Sequence, residues 1–87
     1  MTKYKIEFKC SVAKDLRGIP KAQVAKILDK IALLADDPRP HGSEKLSGLE
    51  RYRIRQGMYR VVYEISDHVL VVVVVKVAHR KQVYRQL

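Results

Sequence analysis

The chain has 87 residues, with 18 lysines and arginines against nine acids, a formal charge of +9 and one cysteine. That length supports a single hydrophobic core without a second module, so residues 1–87 read as one domain. A lone Cys10 excludes an internal disulfide and fits a reducing, cytoplasmic setting, where it packs as a small apolar side chain.

The charge is uneven. Residues 45–87 hold nine cations against three acids, whereas residues 1–44 hold nine against six. Such a basic surface attracts polyanions through counterion release, which puts nucleic acid first among candidate partners, with an anionic membrane or an acidic protein behind it. The opening residues have no apolar h-region, so no secretory signal is expected. The apolar run at 69–75 is too short to span a bilayer, so no membrane-spanning segment is expected. His41, His68, His79 and Cys10 have no ligand spacing, so neither a metal nor another cofactor is implied.

Residues 3–9 alternate, with Tyr4, Ile6 and Phe8 on one face, and predict a first strand. Ser11 suits the cap of a short helix over 12–17, ended by Gly18. Pro20 suits the first turn of a second helix reaching about Ala35, with Val24, Ile27, Leu28, Ile31 and Leu34 as its core stripe. Lys21, Lys26, Asp29 and Lys30 form its solvated side. Asp36-Asp37-Pro38 stops that helix, and a loop over 38–48 follows, in which Leu46 plugs the core and Lys45 stays exposed.

Residues 51–65 alternate apolar and polar around Gln56-Gly57 and predict an antiparallel hairpin. With Gln56 and Gly57 as the two-residue connection, Arg55 faces Met58 and Arg53 faces Arg60. One face then carries Tyr52, Ile54, Tyr59, Val61, Tyr63 and Ile65. The other carries Arg53, Arg55, Met58, Arg60, Val62 and Glu64. Like charges opposed across strands are destabilising, so the cationic face calls for a compensating anion, and only Glu64 lies nearby. The alternative is a solvated face whose arginines lie flat over Val62 and Met58. After a turn at 66–68, the valine run reads as a central strand. Pairing Ser66 with Val69 places Val71, Val73, Val75, Val77 and His79 on the arginine face. The tail mixes cations with Tyr84, a composition suited to holding phosphates and stacking a base. The order β-α-α-β-β-β predicts an α+β domain, an antiparallel sheet backed on one face by a helical hairpin.

These residues resemble the RelE/ParE superfamily of bacterial and archaeal toxins, on the RelE side. The resemblance rests on the element order, the Lys45-Leu46-Ser47-Gly48 turn, Tyr52-Arg53-Ile54-Arg55, Gly57-Met58-Tyr59-Arg60-Val61-Val62-Tyr63, and Val77-Ala78-His79-Arg80 to Val83-Tyr84. It covers nearly the whole chain. It implies a toxin of a type II toxin-antitoxin system that cleaves mRNA in the ribosomal A site and is silenced by a cognate antitoxin wrapped around it. A membrane is not among the partners it implies, and direct DNA contact is not implied, except through that antitoxin. By position, Arg53 and Arg55 fall where RelE has basic active-site lysines, Arg60 matches the Gly-Tyr-Arg arginine, Arg80 the arginine after the last strand, and Tyr84 the late tyrosine. Lys45, Arg51, Lys81 and Arg85 are then candidates for holding RNA or ribosome.

Metal-independent RNA cleavage by 2'-hydroxyl attack yields a 2',3'-cyclic phosphate and a 5'-hydroxyl. It requires proton removal, charge stabilisation at phosphorus and protonation of the leaving oxygen. Guanidinium forks of Arg53, Arg55 and Arg60 suit the charge. A guanidinium is a poor base, so proton transfer falls to His79, with Glu44 as a second candidate. Arg80 assists the leaving group or clamps phosphate, and Tyr84 stacks on or orients a nucleotide. Two rival readings are a gyrase-directed toxin without nuclease activity and a non-catalytic RNA- or ribosome-binding module.

Overall fold

In a computed structural model that describes residues 3–46 and 50–81, the elements alternate as the patterning predicts, with one strand more. They are β1 (Lys5–Phe8), α1 (Cys10–Arg17), α2 (Lys21–Ala32), a 3-10 turn (Leu33–Ala35), β2 (Glu44–Lys45), β3 (Arg51–Gln56), β4 (Tyr59–Ser66) and β5 (Val71–His79). The strands form one sheet in the order β1-β5-β4-β3-β2. Three pairings are antiparallel, but β1 runs parallel to β5. The two helices between β1 and the later strands supply the crossover that a parallel pair requires. The two-residue β2 emerges from the stretch expected as loop.

Both helices cover one face. Val12, Ile27, Ile31 and Leu34 pack on Tyr52, Ile54, Val61, Tyr63, Ile65, Val72, Val74 and Val77, which is the apolar side of the hairpin. Burial of this face is the main drive to fold, at about 25 cal/mol per Å² of apolar surface. Helix α1 begins at Cys10, with Lys9 as its N-cap and no side-chain cap bond, so Ser11 lies inside the first turn instead of capping it. Pro20 is the N-cap of α2, and the stripe ends in the 3-10 turn before Asp36. Phe8 and Leu28 are not core residues: they stay exposed along an apolar groove with Val12, Ala13 and Leu16.

The hairpin turn is Gly57-Met58, since Gln56 pairs with Tyr59. Gly57 supplies the positive φ of 59° that the first turn position needs. Arg55 therefore faces Arg60, and Arg53 faces Val62. Moving the turn by one residue shifts the pairing by two, which leaves every side chain on its expected face. The next connection is longer than expected, and Ser66 pairs with Val71. There Leu70 takes a left-handed φ of 56°.

The loop after α2 is pinned to the sheet. Arg39 donates to both Asp67 oxygens at 2.9 and 3.3 Å and to the Tyr52 hydroxyl at 3.1 Å. Tyr4 also donates to Asp67, at 2.6 Å. The buried Tyr63 hydroxyl donates to the Pro38 carbonyl at 2.7 Å, and burial pushes its pKa up to about 12. Among the described residues, no helix is long and apolar enough to cross a membrane.

Candidate nucleic-acid interface

Alternation in β3 and β4 puts the helices under one set of side chains and the arginines under none. On the cationic face Val62, Val75 and Ala78 form a second apolar cluster, joined by Val73 and Leu46. Leu46 thus plugs the floor of the arginine face and not the helix-side core, while Lys45 stays exposed as expected. Arg53 and Arg60 are sunk into this face, 8% and 6% exposed, and Arg55 is exposed beside them.

The compensating anions come from two strands. Glu64 accepts from Arg51 Nε at 2.7 Å across the hairpin. Glu44 of β2 accepts from Arg53 Nη2 at 2.6 Å and lies 3.7 Å from Arg55. Glu64 is therefore not the only acid near the cations. Glu44 sits directly opposite Arg53 because β2 pairs Glu44 with Arg53. Lys45 meets Glu50 at 3.4 Å in an exposed pair, which contributes little to stability.

Arg60 is different. Its Nη1 reaches the carbonyls of Tyr59 at 3.2 Å and Gly57 at 3.5 Å, the second at the limit of a hydrogen bond. Its buried Nε has no hydrogen-bond partner, and no carboxylate pairs with Arg60, among the described residues. A buried cation in this state is costly unless an anion arrives. Arg60 faces Arg55 on one side and Ala78 on the other. The Arg80 N–H donates to the Met58 carbonyl at 2.9 Å, which brings the exposed Arg80 to the turn end of the hairpin. Arg55, Arg60 and Arg80 thus gather at that end.

His79 does not join them. The β4-β5 register slips at Val62/Tyr63, where Val62 faces Lys76 but Tyr63 faces Val74. This bulge inserts Val75 and reverses the side of every later residue. Val77 and His79 consequently move to the helix side, where His79 faces Tyr59. The two rings meet edge to face at 5.9 Å. His79 Nδ1 accepts the Lys81 N–H at 3.4 Å, and the ring lines a cleft of about 270 Å³ with Asp15, Ile19, Tyr59 and Lys76. Asp15 holds Lys76 at 3.0 Å and accepts the Val77 N–H at 3.2 Å, closing the edge that β1 leaves uncovered. Lys81 is exposed. Tyr84 and Arg85 lie outside the described residues.

The patterning missed Arg39 and Asp15 and ranked Glu44 second. Arg39 and Glu44 lie in a stretch of turn formers, and Asp15 looks like any helix-surface acid. None has a local signal that points to its partner.

This is a small α+β domain that presents a cationic, apolar-floored sheet face away from its helices. Residues 6–84 match the family described as the ParE toxin of type II toxin-antitoxin system, parDE, and the chain belongs to that family, within the RelE/ParE toxin superfamily. It is 29% identical over 87 residues to the toxin RelG of Mycobacterium tuberculosis, covering 95% of this chain and 98% of that one. Its fold matches a chain of the RelBE2 toxin-antitoxin complex of the same organism with a TM-score of 0.81 at 26% identity, covering 92% and 94% of the two chains. It also matches a chain of the archaeal RelE-RelB complex of Pyrococcus horikoshii, with a TM-score of 0.77 at 27% identity, covering 91% and 97%.

Proposed function

We propose that this protein is a RelE-like toxin, a ribosome-dependent endoribonuclease that cleaves mRNA in the A site by 2'-hydroxyl attack and so blocks translation. The observation that carries the reading is Arg60, a buried guanidinium with no carboxylate among the described residues, on a sheet face left clear of the helices. A pentacoordinate phosphate gains a negative charge as it forms, and a preorganised guanidinium is suited to stabilise that charge. Arg55 and Arg80 stand at the same end of the hairpin and clamp flanking oxygens. Arg53 lies in the floor of the site beside Glu44. Lys45, Arg51 and Lys81 extend the basic surface toward ribosome and RNA, and Arg85 and Tyr84 are assigned to holding RNA and orienting a nucleotide. His79, turned to the Tyr59 side, positions Arg80; the 2'-hydroxyl proton passes to solvent water, and the departing 5'-oxygen takes a proton from water with Arg80 assisting it.

The relatives crystallised with RelB support a cognate antitoxin here as well. A net charge of +9 favours an acidic one. The reading is tested by brief induction followed by sequencing of RNA 5' ends, alongside purified ribosomes programmed with mRNA. New ends within translated codons and 2',3'-cyclic termini are expected. Intact transcripts with an induced DNA-damage response would favour the gyrase-directed alternative. That alternative draws on the parDE description of the family and on Glu44 and Glu64, which neutralise part of the arginine set.

A further inference from the structure

The carboxylate of Glu44 is itself an oxyanion seated on the arginine face. It lies 2.6 Å from Arg53 Nη2 and 3.7 Å from Arg55 Nη2, bridging the two guanidinium groups. The bridge is asymmetric in burial. The Arg53 side chain is 9% exposed, whereas that of Glu44 is 52% exposed. Its backbone belongs to a two-residue edge strand whose pairing with Arg53 and Tyr52 is independent of the side chain. Rotation of the Glu44 side chain therefore withdraws this carboxylate from both guanidinium groups, with the sheet intact. Arg60, one strand away, has no such occupant among the described residues.

We propose that Glu44 is a specificity-determining residue of this site, an internal competitor that excludes single small oxyanions and yields only to a polyanionic strand. This rests on the reading of the face as a phosphodiester site. A tethered carboxylate faces its partner at an effective concentration on the order of millimolar, so a free phosphate well below that concentration competes poorly. An oligonucleotide can. Contacts of neighbouring phosphates with Arg60, Arg80 and Lys81 tether the phosphate that competes for Arg53 and Arg55, giving it an effective concentration of its own. Glu44 thereby keeps inorganic phosphate and mononucleotides from blocking a site built for a chain.

The test compares the full-length wild type with Glu44→Gln, which keeps the shape and an oxygen acceptor for Arg53. Binding of a fluorescent ten-nucleotide RNA carrying 2'-deoxyribose is followed by anisotropy, with inorganic phosphate as competitor. In the wild type, phosphate should compete only weakly. In Glu44→Gln it should compete about tenfold better, with RNA affinity rising about threefold or less, so discrimination falls. Unchanged competition overturns the proposal. So does weaker RNA binding, which would make Glu44 a structural or direct RNA contact. Slower cleavage with binding and competition unchanged overturns it too, in favour of proton transfer by Glu44. Should the variant not fold, titrating wild-type protein with the same RNA decides. The Glu44 carboxyl carbon resonance must move together with the Arg53 side-chain signals, and a stationary Glu44 refutes displacement. The two readings fail separately. Lost discrimination in a protein that makes no 2',3'-cyclic ends upholds Glu44 and sinks the ribonuclease. Unchanged discrimination in a protein that cleaves does the reverse.

Discussion

Replacing Arg60 by Met should raise stability while removing activity. The residue is 6% exposed, on the face that carries the Val62, Val75 and Ala78 cluster, and its side-chain hydrogen bonds go to two carbonyls at 3.2 and 3.5 Å. A charge-assisted hydrogen bond of good geometry contributes about 1.5–3 kcal/mol, and only the shorter of these approaches it. Desolvating a cation costs several kcal/mol, and replacing buried ionic groups by apolar ones of similar volume often stabilises by about 1–4 kcal/mol. The balance favours Met by about 1 kcal/mol, which for a domain of this size raises the melting temperature by roughly 4–8 °C. Loss of a preorganised donor to a developing oxyanion costs about 10²–10³-fold in rate. Circular dichroism melts and cleavage on programmed ribosomes read the two effects. A melting temperature lowered by several degrees would show that Arg60 is structural, and full activity would show that it does not meet phosphate.

Four further outcomes follow from the geometry. His79→Gln should slow cleavage less than about tenfold, whereas loss of a general acid or base costs about 10²–10⁴-fold. A loss of that size in a single-turnover assay would return His79 to the chemistry. Tyr63→Phe should lower stability by about 1 kcal/mol through the lost Pro38 bond. With its pKa raised to about 12, Tyr63 favours the folded state fully below roughly pH 10 and loses that contribution as pH climbs through 12. The alkaline limb of a urea-midpoint profile should therefore flatten in the Phe variant. Arg39 and Tyr4 hold the Asp67 carboxyl below the usual carboxylate range. Its contribution is full above the unfolded pKa and is lost as pH falls through the folded one, so Asp67→Asn should flatten the acid limb. Leu70→Asn should raise stability by about 1 kcal/mol, because Asn tolerates the left-handed φ of 56° that Leu adopts at a cost. An unchanged or lower denaturation midpoint would show that Leu70 packs well enough to offset the strain.

The two faces of the hairpin were legible because alternation survives a register shift of two, which is also why the register itself was not. Arg53 opposite Val62 and Arg53 opposite Arg60 have identical patterns. The fate of His79 was hidden for a different reason. Residues 71–75 are all valine, so none of them marks the bulge at Val75, and the one sign of the reversal that carries His79 to Tyr59 is Lys76, which unbroken alternation would set in the helix-side core. The parallel seat of β1 and the bridge from Glu44 depend on partners distant in the chain, beyond the reach of local periodicity. The cationic site itself was legible as composition, and its neutralisation by Glu44 became visible only once β2 lay beside β3.

The most direct measurement is a titration of the full chain with the 2'-deoxy-substituted RNA, following the arginine Nε–Hε signals by NMR. The Arg60 Nε–Hε signal should show the largest shift, with Arg55 and Arg80 next and the helix-side residues still. Shifts confined to the helix side, or an Arg60 signal that does not move while RNA binds, would contradict a phosphate site on the arginine face.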